Sequence, residues 1–154
     1  MRGMKVSKFT LFLWLLAAVL VVLLVVWKVA RDHEEKNLAD VLVEDRSDTE
    51  AISLELRGDK NLSMTSEEHG QFEQLLDFLA AYQVKKIEDS KAAEADVHNA
   101  NGADLFVRKR GHSSSDQSII LEDFVYIAGS GHYRVTNGPI DMDWINKFVS
   151  ENQK

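Results

Sequence analysis

The sequence predicts an α+β protein in which an N-terminal transmembrane helix precedes a small domain with a mainly antiparallel sheet and two helices. The stretch from Phe9 to Trp27 is apolar and carries no charge, which is typical of a membrane span. Apolar and polar residues alternate over 52–56, the period of a half-buried strand. Two later stretches, 72–82 and 144–149, repeat apolar residues at the spacing of an amphipathic helix.

The apolar run has the length and composition of a membrane helix. Its only polar residue is Thr10, so a helix here has no polar stripe to face water. Nineteen residues give a helix of about 28 Å, close to the roughly 30 Å hydrocarbon core of a bilayer. We predict that residues 9–29 are an uncleaved signal anchor that contacts membrane lipid. A cleaved signal peptide is the alternative, but Lys28 occupies position −3 of the best cut, after Ala30, where a small residue is expected.

Basic residues flank the apolar run on both sides and determine the predicted topology. Three basic side chains precede the run, and Lys28 and Arg31 follow it. The α-amino group adds a charge to the first side, and positively charged flanks are retained in the cytoplasm. We therefore expect residues 1–8 to be a short cytoplasmic tail. The protein is predicted to cross the cell membrane once, with its C-terminal domain outside.

The body that follows the apolar run is strongly acidic and lacks cysteine. Residues 1–30 hold four basic and no acidic side chains, so the total charge of −7 leaves −11 on residues 31–154. Such a body repels nucleic acid and anionic headgroups, and we predict no nucleic-acid partner. The absence of cysteine excludes disulfides, thiolate nucleophiles and cysteine zinc sites. Residues 30–49 are predicted to be an acidic spacer that merges into the domain.

The extracytoplasmic domain is predicted to cover residues 50–154 and to begin with a hairpin and a helix. The alternation of the first strand resumes after the turn sequence GDKN, which predicts a β-hairpin. Thr65 or Ser66 is expected to cap the following helix, with two glutamates in its first turn. The stretch VKKIE is expected to form a short strand. Asp89–Ala103 has few large apolar residues and is expected to be a mobile loop.

A meander of strands and a last helix complete the predicted domain. LFVRKR and HYRVT are expected strands, and residues 117–128 predict either one bent strand or two. Gly129–Gly131 is expected to join the last pair as a hairpin, and the sequence NGP to end the sheet. The last helix is expected to begin at Asp141, its N-cap. The order contains no long crossover, which favours an antiparallel sheet.

The layout as a whole resembles a known kind of protein. An N-terminal anchor, a strand–turn–strand–TSEE–helix unit and the tyrosine-bearing hairpin FVYIAGSGHYRVTNG precede a short last helix. In this the chain resembles small single-pass membrane-anchored extracytoplasmic proteins of unknown function from Gram-positive bacteria. The resemblance covers residues 50–152. It implies the fold and the location, and it implies no catalytic residues.

Histidine and serine side chains form no local catalytic or metal-binding motif. The five histidines are His33, His69, His98, His112 and His132. None forms an HExxH or HxH pair, although folding could bring His98 and His112 close to Asp104. The sequence GHSSSDQ lacks a G-x-S-x-G elbow and is better explained as a polar loop. We predict no catalytic residue, no metal ligand and no cofactor.

Four carboxylates near the C-terminus could form an acid/base pair or a calcium site. They are Glu122, Asp123, Asp141 and Asp143. No D-x-D-x-D-G loop accompanies them. A helix N-cap explains Asp141, and a first-turn position explains Asp143.

These patterns favour a membrane-anchored extracytoplasmic binding or accessory module over an enzyme. Its partner is predicted to be a membrane or envelope protein, and the oligomeric state is left open. The expected contact surface consists of Tyr126, His132, Tyr133, Arg134, Arg108 and Arg110. Two alternatives stay open: an envelope-associated hydrolase that uses Asp, Glu or His, and a ligand-sensing domain coupled to a membrane partner.

Overall fold

One long apolar helix makes up almost all of the described part of the first structural unit. The structure, a computed structural model, describes residues 8–32, 34–58, 62–88 and 101–153. It divides into the units Met1–Glu34 and Glu35–Lys154. Helix α1 (Lys8–Asp32) contains the segment Phe12–Arg31, whose mean hydropathy is 2.7 and whose side chains are exposed. By length and composition, α1 can cross a membrane.

The second unit contains, within the described residues, one sheet of eight strands. The strands are β1 (Lys36–Asn37), β2 (Thr49–Leu56), β3 (Ser63–Ser66), β4 (Gln83–Ile87), β5 (Ala103–Lys109), β6 (Ser115–Ile120), β7 (Phe124–Ile127) and β8 (Gly131–Val135). Their order is β1-β4-β8-β7-β6-β5-β2-β3, and every neighbouring pair is antiparallel. The predicted α+β class and antiparallel sheet are confirmed.

Helices cover one face of this sheet. In the described part of the unit they are α2 (Leu38–Leu42), α3 (His69–Leu79) and α4 (Met142–Glu151). Apolar residues recur every three or four positions in α3 and α4, so each buries one stripe, which includes Phe72 and Leu79 in α3 and Ile145 and Phe148 in α4. The stripes share one core with inward-facing strand residues such as Ile52. The two predicted domain helices are therefore present, and α2 is an addition.

The segment 117–128, for which one strand or two were predicted, forms the two strands β6 and β7. In the turn between them the backbone N–H of Leu121 donates to the carbonyl of Phe124 at 2.8 Å. The predicted GSG hairpin joins β7 to β8. Gly129 and Gly131 have φ values of 82° and 103°, a region that favours glycine.

The acidic segment 30–49, predicted to be a spacer, is largely part of the domain. The second unit begins at Glu35, and Leu38 is fully buried in its core. The side-chain amide of Asn37 donates to the carbonyl of Ala80 at 2.7 Å and fixes the start of α2 against the end of α3. The spacer prediction was wrong because so short an apolar pattern among acids does not reveal a buried face.

Helix α3 starts later than predicted. Ser66, one of two expected caps, is the last residue of β3, and its Oγ accepts from the N–H of Glu68 at 3.0 Å. The other, Thr65, lies in β3 opposite Ser53 of β2. The helix begins at His69 without a side-chain cap. The prediction of Thr65 or Ser66 as the N-cap was wrong because both residues pair with β2 in the sheet.

The other local predictions have mixed outcomes. Asp141 caps α4 as predicted, since its Oδ1 accepts from the N–H of Trp144 at 3.0 Å. VKKIE forms most of β4, and GHSSSDQ forms the β5–β6 turn and the start of β6. Two predictions lie mostly outside the described residues: the GDKN turn, at 59–61, and the mobile loop, at 89–100.

A 3-10 turn, Arg46–Asp48, connects α2 to β2. The hydroxyl and the backbone N–H of Ser47 donate to Oδ1 of Asp45 at 2.7 and 2.9 Å. These hydrogen bonds, the hydroxyl first, lower the pKa of Asp45 from its ordinary value. Arg46 Nη1 lies 3.2 Å from Oε2 of Glu73, which links the turn to α3.

The substitution Leu38→Ala tests whether α2 belongs to the core. We expect the free energy of unfolding to fall by about 2–5 kcal/mol, because a fully buried side chain is lost and a cavity is left. Asp40→Ala, at an exposed position of the same helix, is the control and should change it by less than about 0.5 kcal/mol. Urea unfolding followed by circular dichroism measures both. Equally small effects would contradict the placement of α2.

Candidate functional site

One face of the sheet carries no helix within the described residues, and we call it the open face. The buried residues of α2, α3 and α4 all belong to the core cluster on the opposite face. Register and alternation place the following side chains on the open face: Ser53, Glu55, Arg57, Lys85, Ile87, Asp104, Phe106, Arg108, Gln117, Ile119, Phe124, Tyr126, His132 and Arg134. A water-facing side of an antiparallel sheet is usually polar, so the apolar members of this face mark a candidate site.

These apolar members gather into an aromatic patch near the middle of the open face. The patch consists of Ile87, Ile119, Leu121, Phe124, Tyr126 and His132. Leu121 and Phe124 are 6% exposed, and the other members are half-buried. The His132 ring lies 5.4 Å from the Phe124 ring and 4.9 Å from the Tyr126 ring, centroid to centroid, and is tilted to both. Such tilted contacts are favourable for aromatic pairs.

Strand register explains why the patch is continuous. Tyr126 lies opposite both Ile119 and His132, and His132 lies opposite Ile87. These four residues therefore form one row across β6, β7, β8 and β4. Cross-strand neighbours of this kind are about 5 Å apart, so residues distant in the sequence become one surface.

Charged side chains border the patch on two sides. In the adjacent row, Phe124 of β7 lies opposite Arg134 of β8, which lies opposite Lys85 of β4. On the other side, Arg57 holds Asp104 in a bidentate pair, with Nε–Oδ2 3.0 Å and Nη2–Oδ1 3.1 Å. Both side chains of this pair are less than one-fifth exposed. The charge of Asp104 is thus balanced by Arg57, whereas Lys85 and Arg134 are cross-strand neighbours of the same charge.

Three residues of the predicted contact surface lie together on the open face, and one does not. Tyr126, His132 and Arg134 are neighbours there. Tyr133 is 6% exposed and belongs to the core, opposite Val125. The inclusion of Tyr133 was wrong because consecutive strand residues point to opposite faces.

The basic cluster RKR lies at the other side of the sheet from the aromatic patch. Arg108 is on the open face, but its Nη2 lies 3.3 Å from Oε1 of Glu67. Lys109 Nζ lies 3.1 Å from Oδ2 of Asp116, whose hydrogen bond raises the pKa of Lys109 above its ordinary value. Arg110 follows the end of β5 and borders an open depression of about 350 Å³ beside the start of α3. These cations do not join Arg134 in one surface.

Sequence reasoning missed Phe124, Ile119, Ile87 and Lys85 as members of the site. The alternation in FVYI was a usable signal for Phe124, since it shares a face with Tyr126 once β7 is separated from β6. The positions of Ile87 and Lys85 depend on the pairing of β4 with β8. That pairing is non-local, and no local pattern in the sequence encodes it.

The three histidines that the structure describes, His69, His112 and His132, lie in separate places. Among the described residues, no three His, Cys, Asp or Glu side chains could hold a metal ion. His69 pairs with an acid of its own helix. Asp104 is near the start of β5 and His112 follows its end, a separation of at least about 17 Å along the strand. His33 and His98 lie outside the described residues.

Two of the four C-terminal carboxylates border a common depression, and no three of the four could hold a metal ion. Asp141 caps α4. Glu122 and Asp143 border an open depression of about 430 Å³, together with Asn146. Asp123 lies in the β6–β7 turn. Its backbone carbonyl accepts a hydrogen bond at 3.0 Å from the N–H of Val135, the last residue of β8. The aromatic patch is therefore the better-defined site.

Comparison of the chain with protein-family models, with curated proteins and with solved structures finds no match. The fold and the site still define a class: an apolar helix able to span a membrane, followed by an α+β domain whose antiparallel sheet has one open face.

The substitution Arg57→Ala tests the ion pair beside the patch. We expect the free energy of unfolding to fall by about 1–2 kcal/mol, because Asp104 loses two charged hydrogen bonds at a largely buried position. Arg46→Ala removes the ion pair with the partly exposed Glu73 at 3.2 Å and a longer one with the exposed Asp77 at 3.9 Å. Because these pairs are solvated, it should cost less than about 1 kcal/mol. Urea unfolding of both variants gives the comparison. A larger loss for Arg46→Ala would contradict the assignment.

Proposed function

We propose that the chain is a membrane-anchored extracytoplasmic binding module that contacts a membrane or envelope protein through its open face. One observation carries the proposal: the aromatic patch groups the buried Leu121 and Phe124 with half-buried apolar neighbours on a sheet face that has no covering helix among the described residues. Contiguous apolar surface bordered by polar residues is typical of protein interaction sites.

The composition of the patch supports a protein partner. Tyrosine and other aromatic residues are enriched in interface cores, since their large rings bury much area at low entropic cost. Phe124 and Leu121 are buried, and the half-buried Tyr126 and Ile119 pack against them. Packing of this kind holds the contact side chains in place before binding.

The apolar helix supports the location. Residues 9–29 are proposed to be an uncleaved, single-pass signal anchor of the cell membrane, with residues 1–8 inside and the domain outside. The basic residues before the run support this orientation. Trp27 lies at the end of the run, and the Arg31 guanidinium lies 5.3 Å from its ring centroid. Aromatic and basic side chains are favoured at the membrane interface. The resemblance to anchored proteins of Gram-positive bacteria is part of the same proposal.

Orientation is tested with single cysteines, because the chain has none of its own. Ser113→Cys lies in the exposed β5–β6 turn, and Ser7→Cys precedes the apolar run. In intact cells a membrane-impermeant maleimide should label Ser113→Cys and leave Ser7→Cys unlabelled until the cells are lysed. The reverse pattern would refute the orientation, and Ser113→Cys recovered in the medium would show a cleaved signal peptide.

The open face is tested by photocrosslinking in intact cells that express the chain natively. A photoreactive phenylalanine analogue at Tyr126 keeps an aromatic ring in the patch, and the same analogue at Lys147, exposed on α4, is the control. We expect a discrete protein adduct from position 126 and none of that size from position 147. The absence of any adduct from position 126, or the same adduct from both positions, would refute the proposed contact face.

A further inference from the structure

The cations beside the aromatic patch differ from five of the eight other Lys and Arg residues that the structure describes in the domain. Arg46, Arg57, Arg108, Lys109 and Lys147 each lie within 4 Å of a carboxylate. Lys85 and Arg134 are exposed, and among the described residues no carboxylate lies within salt-bridge distance of either. In a body of net charge −11, two cross-strand cations with no described carboxylate within salt-bridge distance are a distinct feature.

The register places these two cations against each other. Lys85 and Arg134 are direct cross-strand partners on the open face, and like charges in that position destabilise a sheet. Phe124 is the next residue of the same row, and Ile87 with His132 forms the adjacent pair. The unfavourable pair therefore forms one border of the aromatic patch.

Protection of a sheet edge explains only half of this pair. Lysine on an edge strand prevents strand addition, and β4 is near an edge because β1 covers only its first two residues. This accounts for Lys85. It does not account for Arg134, because β8 lies inside the sheet between β4 and β7. A bound anion explains both residues.

We infer that the open face binds an acidic segment of a partner protein, with a carboxylate at Lys85 and Arg134 and an apolar side chain on the aromatic patch. The inference rests on the proposed function and specifies its partner. Charge-assisted hydrogen bonds from lysine and arginine to a carboxylate are short and strong. They would also reduce the repulsion between the two cations. Because this repulsion is present in the free domain, its loss on binding makes the binding free energy more favourable.

An anionic lipid surface fits the site less well than an acidic peptide. The members of the patch are buried or half-buried, whereas insertion into a bilayer needs protruding apolar side chains. A membrane plane or a long polyanion would also face the whole acidic body. A short segment responds mainly to charges within a Debye length of about 8–10 Å, where Lys85 and Arg134 lie.

The test uses the full chain in its own membrane with the photoreactive analogue at Tyr126. The double variant Lys85→Glu with Arg134→Glu should reduce the protein adduct at least about tenfold, since two attractive contacts become repulsive. Lys86→Glu, a neighbouring half-buried lysine that register places with the core face, is the matched control and should leave the adduct unchanged. Mass spectrometry of the adduct should identify a partner segment rich in Asp or Glu.

A second measurement guards against loss of folding in the variants. Lys85→Glu alone places opposite charges across the β4–β8 pair, so the Tm of the detergent-solubilised chain should rise by about 2 °C or more, while the crosslinked adduct falls. A variant that is at least as stable as the parent and yet binds less well excludes misfolding as the cause.

The possible outcomes separate the two proposals. No adduct from position 126 of the parent chain would refute the proposed function. A protein adduct that survives the double charge reversal, or that maps to a segment without acidic residues, would refute the acidic partner and leave the binding module intact. An adduct of lipid mass would refute both in favour of a membrane surface.

Discussion

The structure depends on the one-sided burial of an antiparallel sheet. Helices α2, α3 and α4 place their apolar stripes on a single face, and that contact forms the core. Removal of this apolar area from water is the main driving force for folding. The same arrangement leaves the other face of the sheet without a helix in the described residues. Side chains alternate along each strand, so the residues next to a core-facing residue point to the open face. The separation of Tyr133 from Tyr126 is one result.

The parts of the fold that the sequence predicted are those with a local period. Alternation in β2 and helical spacing in α3 and α4 are visible in single segments. The parts that it did not predict depend on contacts between distant segments. Leu38 is buried because α2 packs against the end of α3, yet it lies among acidic residues that indicate a solvated spacer. Serine is a preferred residue at helix N-caps, but Ser66 pairs with β2 and is therefore part of a strand.

The same distinction applies to the candidate site. Tyr126, His132 and Arg134 share one hairpin, so a local pattern was enough to propose them together. The row that joins Ile119 to Ile87 crosses four strands and requires the register of three strand pairs. The cation pair of Lys85 with Arg134 has the same origin. A sequence therefore reveals the members of a hairpin surface more readily than the composition of a sheet face.

The central claim is that the open face is covered by a partner when the chain is in its own membrane. Hydroxyl-radical footprinting measures this directly, by comparing the oxidation of Tyr126 and His132 in intact cells with their oxidation in the purified chain. Trp144, half-buried against Phe78 on the helical side with ring centroids 3.8 Å apart, is an internal reference. The account predicts that oxidation of Tyr126 and His132 falls severalfold in cells while that of Trp144 is unchanged. Equal oxidation of Tyr126 in cells and in the purified chain would contradict it.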